Sequence, residues 1–95
     1  MSDTKRIVRV SPGTLYREVQ GEAVLLQLDN GEYFGLDEVA TRIWQLLVQH
    51  GDLASVQAAL LEEYDTTEEE VAGDLGRVIE ELVAKRLIDV DVQPI

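Results

Sequence analysis

The 95-residue chain carries 19 acidic and 8 basic residues, a formal net charge of −11 that repels phosphate backbones and anionic membrane surfaces. Hydrophobic residues make up 45% of it, enough for one modest core, and the lack of cysteine excludes disulfides, thiolate metal sites and cysteine nucleophiles. The polar stretch Met1–Arg9 is unlike a signal peptide, and no run nears the roughly 20 apolar residues that span a bilayer. The expectation is one cytoplasmic domain over 1–95, ordered from about 6 to 90.

Ile7 to Val10, interleaved with Arg6 and Arg9, reads as a short strand stopped by Ser11-Pro12-Gly13. Leu15 to Val19 either extends or follows it. Glu22 to Leu28 is a strand, Asp29-Asn30-Gly31 is hairpin chemistry suited to a tight two-residue turn, and Glu32 to Leu36 is the return strand. Asp37 then stands where a helix N-cap belongs. The helix Glu38–His50 gathers Val39, Ile43, Trp44, Leu46 and Leu47 on one wide apolar face, and Trp44 suits the core better than a site.

Gly51 ends that helix and Asp52 caps a second, with Leu53, Val56, Ala59, Leu60 and Tyr64 as its apolar positions. Thr67 and Glu70 make a capping box for a third, whose first turn carries Glu68, Glu69 and Glu70 where the helix dipole favours acid. It runs to about Arg86, with Lys85 and Arg86 at the opposite pole of the dipole. Leu87 to Val90 is a short terminal strand able to cover a sheet edge. Strands followed by helices make a small α+β domain, here an N-terminal antiparallel three-stranded sheet followed by three helices, the plan of a winged helix-turn-helix.

Catalytic and metal constellations are thin. His50, the one histidine, sits at a helix C-terminus where a polar side chain faces the last carbonyls. Ser11 and Ser55 have no histidine or lysine at readable spacing, and Gly73-x-x-Gly76 lies inside a helix without the following lysine of a phosphate loop. The glutamate runs read as solvated helix surface. Asp52-Leu53-Ala54-Ser55 has the wrong order for the phosphopantetheine serine of an acyl carrier protein. DNA binding fails on electrostatics, because the third helix presents three carboxylates at the end where a recognition helix meets bases. The expectation is a non-enzymatic binding module with no cofactor, no metal and no nucleic-acid partner.

The order of strand Val24–Leu28, turn Asp29-Asn30-Gly31, strand Tyr33-Phe34, then Leu36-Asp37 and a helix with Ile43-Trp44 resembles the PqqD family. Leu61-Glu62-Glu63-Tyr64-Asp65 and the close at Lys85-Arg86-Leu87-Ile88 extend the resemblance over roughly 6–90. Members of this kind are RiPP recognition elements, winged-helix domains that bind the leader segments of ribosomally made precursor peptides. The resemblance implies that a leader pairs antiparallel with the strand 32–36 in a groove closed by the helix 67–86. A stand-alone copy is most similar to the leader-binding partner of lasso-peptide biosynthesis, which delivers the precursor to a separate leader peptidase. Two other readings stay open. One is a PqqD-type chaperone presenting a precursor to a radical SAM enzyme, the other an acidic regulatory or protein-interaction domain.

The residues permit strand addition. The strand 32–36 presents a candidate edge, in which Gly35 allows a close backbone approach or marks a bulge. Period two sets Phe34 and Leu36 on one face and Tyr33 and Gly35 on the other, which gives Tyr33 the exposed contact. On the third helix Asp74, Arg77, Val78, Glu81 and Leu82 form a stripe between core and solvent. Val78 and Leu82 fit the core better than a ligand contact, and Arg77 between Asp74 and Glu81 fits a surface ion pair. The candidate peptide-binding residues are Leu26, Leu28, Glu32, Tyr33, Phe34 and Gly35 on the hairpin, with Asp74, Leu75, Arg77, Val78, Glu81 and Leu82 on the helix.

Overall fold

The computed structural model describes residues 4–94. The chain runs β1 (Thr4–Val10), β2 (Thr14–Val19), β3 (Glu22–Gln27), β4 (Glu32–Gly35), α1 (Glu38–His50), α2 (Leu53–Glu63), α3 (Glu68–Ala84) and β5 (Ile88–Pro94). The α+β order and the three helices match the sequence reading, but the single N-terminal sheet does not. β2, β3 and β4 form an antiparallel three-stranded sheet, while β1 leaves it to pair with β5 in a separate two-stranded ribbon. The cause lies at the turn after β1. Ser11 N–H and the Thr14 hydroxyl both donate to the Leu87 carbonyl at 3.0 Å, which ties the end of β1 to the start of β5. Apolar alternation marks a strand but does not name its partner. The terminal segment therefore covers β1, and β4 pairs with β3 alone among the described residues.

The tight two-residue hairpin turn exists one connection earlier than the Asn-Gly signal suggests. Gln20 and Gly21, with φ of 52° and 83°, join Val19 to Glu22 as a primed turn whose twist matches the flanking strands. Between β3 and β4 the loop is four residues long, from Leu28 to Gly31, and is closed by Gly31 N–H on the Gln27 carbonyl at 2.8 Å. Leu28 N–H is drawn out of β3 to the Gly13 carbonyl at 2.8 Å, and the Asn30 side chain accepts from Glu32 N–H at 2.9 Å. Those two local bonds outcompete the shorter turn.

All three N-cap side chains accept as read, but the Thr67–Glu70 capping box is only half made, because the Glu70 carboxylate is taken by Thr66. Asp37 accepts from Ala40 N–H, Asp52 from Ser55 N–H, and Thr67 from Glu70 N–H. Glu70's own carboxylate accepts from the Thr66 hydroxyl at 2.6 Å. α3 stops at Ala84 instead of Arg86, because Arg86 turns left-handed at φ 60°. Arg86 N–H then meets the Val83 carbonyl and Leu87 N–H the Leu82 carbonyl, both at 3.0 Å, the two bonds of a Schellman close.

The core lies between the three-stranded sheet and the helices. Ala23 and Leu25 of β3 meet Ile43, Leu46 and Leu47 of α1, Val56 and Leu60 of α2, and Val71, Leu75, Val78 and Leu82 of α3. Each fully buried aliphatic contributes about 1.5–3 kcal/mol. Trp44 is 4% exposed and stacks on Tyr16 at 6.2 Å between centroids, so it belongs to the core. Buried Thr41 accepts from Ala23 N–H at 2.9 Å and donates to the Leu36 carbonyl at 3.3 Å, fixing α1 against the sheet.

Asp52 carries a testable pH dependence. Its hydrogen bonds from Ser55, with the nearby Lys5 charge, outweigh desolvation and hold its carboxyl below the ordinary aspartate value. A lowered native pKa means that the stabilisation is complete above the unfolded value of about 3.9 and fades as pH falls through the lower native one. Asp52→Ala is expected to cost about 1 kcal/mol at neutral pH in denaturant melts. That difference from the native chain should shrink in strong acid.

Candidate groove between strand and helix

β4 is short because Gly35 leads directly into Leu36 and the α1 cap at Asp37. Leu36 N–H donates to the Ala23 carbonyl at 2.8 Å. Alternation from that bond turns the main-chain groups of Phe34 and the carbonyl of Glu32 toward β3, while Glu32 N–H is held by the Asn30 side chain. The N–H and C=O groups of Tyr33 and Gly35 face the open edge. A second strand would meet donors and acceptors there at every other residue.

α3 walls that edge. A cavity of about 370 Å³ is lined by Phe34, Gly35 and Leu36 on one side and Asp74, Arg77, Val78 and Glu81 on the other, with Asp37, Val39 and Ala40 closing its end. Glu81 also lines a neighbouring cavity of about 300 Å³, bounded by Asn30, Glu32, Ala84, Lys85 and Arg86. Together they form one trough along β4. Half-buried Phe34 is its aromatic element, with the Lys85 ammonium 5.5 Å from the ring centroid. Carboxylates and cations alternate along the helix wall. The Arg77–Asp74 pair, at 3.4 Å and exposed on both sides, contributes little to stability and leaves both groups available.

Gln27, 3% exposed, stands at the end of β3. Its amide donates to the Arg86 carbonyl at 2.6 Å and its carbonyl accepts from Asp29 N–H at 3.1 Å. One buried side chain thus joins the end of α3 to the loop that starts β4. A Cβ at Gly13 would sit 2.7 Å from the Gln27 Oε1, so a larger residue there would push the Gln27 side chain aside.

Of the residues singled out in the sequence, Glu32, Phe34, Gly35, Asp74, Arg77, Val78 and Glu81 come together around this trough. Leu75 and Leu82 do not line it. At 5% and 0% exposure they are core residues supporting α3 from behind. Leu28 is exposed in the hairpin loop, and Leu26 lies on the other face of the sheet, paired with Leu15 and with Tyr33. Tyr33, 72% exposed, offers its backbone to the edge and its side chain to that outer face. The trough also takes in Asp37, Asn30, Lys85 and Arg86, whose sequence signals were those of a cap, a turn and a helix terminus, and Leu36, Val39 and Ala40, apolar residues that the sequence pattern does not separate from the core.

The model of the family described as coenzyme PQQ synthesis protein D, PqqD, matches residues 22–88, more than two thirds of the chain. The chain belongs to the PqqD family. A search of curated proteins found no match. Two solved structures are similar to this PqqD-family chain. One is TbiB1 in complex with the TbiA(beta) leader peptide, 33% identical, with a TM-score of 0.81 over 85% of this chain and 94% of that one. The other is lasso peptide synthetase B1 complexed with the leader peptide, 24% identical, with a TM-score of 0.78 over 86% and 96%, a likeness in fold.

Proposed function

We propose that the chain is a leader-binding recognition element that holds a precursor's leader as a strand antiparallel to β4, in the trough walled by α3. The observation that carries this reading is the coincidence of an unpaired strand edge with a groove beside it. Main-chain bonds to Tyr33 and Gly35 supply affinity, and the Phe34 floor with the α3 wall supplies selectivity. β2 is also an outer strand of the same sheet, but the trough described above lies beside β4. The leader complexes known for the two similar structures agree with this ligand class.

Delivery to a processing enzyme, a leader peptidase in the lasso-peptide reading, is part of the same proposal. The outer face of the sheet supports it: Leu15 and Val19 are each 52% exposed, and Leu15, Leu26 and Tyr33 form one row across the three strands. Exposed contiguous apolar surface marks an interaction site. The alternative kept beside it is a chaperone presenting a precursor to a radical SAM enzyme, a second role compatible with membership of the PqqD family. The winged-helix layout, the cytoplasmic setting and the absence of catalysis by the chain alone belong to the same reading. No helix of the described residues is long and apolar enough to cross a membrane.

Calorimetric titration with synthetic leaders from precursor genes adjacent to this one tests the proposal. Binding at micromolar or tighter Kd, with no cleavage by the chain alone, is expected. Failure of every such leader to bind would refute it.

A further inference from the structure

The last turn of α3 presents two charges to the trough at a spacing that suits a strand. Glu81 and the C-cap Lys85 both line it, and Lys85 N–H bonds the Glu81 carbonyl at 3.1 Å, so the helical rise continues between them. Four residues of helix separate them by about 6.0 Å along the axis. In an extended strand the side chains on one face repeat every two residues, at about 6.6–6.8 Å. The difference is smaller than the reach of either long side chain. A strand lying along β4 therefore brings consecutive inward-facing side chains opposite Glu81 and Lys85.

Both charges are open to a ligand. A glutamate four residues before a lysine is the order that pairs on a helix surface, yet neither is in an ion pair among the described residues. Lys85 reaches inward instead, its ammonium 5.5 Å from the centroid of the Phe34 ring. The surrounding charges do not cancel these two. Arg77 is paired with Asp74 at 3.4 Å, and the Asp37 carboxylate accepts from Ala40 N–H at 2.8 Å. On the β4 side, Glu32 is one carboxylate beside two cations, Lys85 and Arg86. Along α3 the trough thus changes sign, from acidic at Glu81 to basic at Lys85.

We propose that the trough reads the order of charges in its ligand: a leader strand with a basic side chain opposite Glu81 and, two residues later, an acidic one opposite Lys85. The inference rests on strand addition at β4. Asp74 and Arg77 lie beside the end of β4 and Lys85 beside its start, so α3 runs opposite to β4. A strand antiparallel to β4 then runs with α3 and meets Glu81 first. The net charge of −11 attracts any basic peptide, but it does not distinguish basic-then-acidic from the reverse.

The probe is a synthetic leader from a precursor gene adjacent to this one. The two leader positions whose side chains give nuclear Overhauser contacts to Glu81 and Lys85 are made Lys then Glu, or Glu then Lys. Lys-then-Glu is expected to bind roughly tenfold tighter, a preference that shrinks in about 1 M salt. The double variant Glu81→Lys/Lys85→Glu changes two exposed positions, so it is expected to fold and to prefer the reversed peptide. Equal affinities with both peptides protecting Tyr33 and Gly35 from exchange, an unreversed preference in the double variant, or a leader on β4 without those contacts would overturn the charge order and leave strand addition in place. Binding of neither peptide, or protection away from β4, would overturn strand addition and the charge order with it.

Discussion

Gly35→Pro is expected to raise the Kd for leader by roughly 10- to 100-fold, a loss of about 1.4–2.7 kcal/mol. Gly35 is the position at which a proline ring attacks the edge without attacking the sheet. Its N–H points away from β3, so no bond of the β3–β4 ladder is removed, and extended Phe34 tolerates a following proline. The added strand loses one donor and meets the ring of Pro, the device by which natural sheets protect their edges. The thermal midpoint should move little. Tyr33→Pro is expected to act in the same way, whereas Phe34→Pro breaks a bond to β3 and should destabilise the fold. Unchanged affinity in Gly35→Pro would place the ligand elsewhere.

Leu82→Ala is expected to cost about 2–5 kcal/mol of stability, a large part of the roughly 5–15 kcal/mol that holds a small domain. Leu82 is 0% exposed at the meeting of α3 and the sheet, so truncation leaves a cavity instead of a trimmed surface. Glu81, one residue earlier, faces the trough, and Glu81→Ala should change stability by no more than about 0.5 kcal/mol while altering leader affinity. Denaturant midpoints of the two variants separate core from groove on adjacent residues. If Leu82→Ala were harmless to stability but damaging to binding, the placement of α3 would be wrong.

The neighbours Glu81 and Leu82 also show how far the sequence could be read. Helical periodicity places both near a boundary, and a side chain at the boundary is decided by the rotation of the helix against its sheet, which is a tertiary quantity. The caps at Asp37, Asp52 and Thr67 were legible because a cap is settled within three residues. The fate of β1 was not, since its partner β5 lies some eighty residues away and its pairing rests on Ser11 and Thr14 reaching the Leu87 carbonyl. The Asn30-Gly31 turn misled for a different reason. Gly13 took the Leu28 amide, a competitor that local turn chemistry does not contain. For the site, alternation along 32–36 correctly sorted Phe34 from Tyr33. It gave no hint of Gln27, whose polar type in an apolar strand was the available signal for a buried tie between β3 and the end of α3.

The most direct measurement is amide hydrogen exchange along β4 with and without bound leader. Strand addition predicts new protection at Tyr33 and Gly35, whose N–H groups face the open edge, and little change at Phe34, already bonded to β3. Protection of the β2 amides instead, or leader binding that leaves Tyr33 and Gly35 exchanging freely, would contradict it.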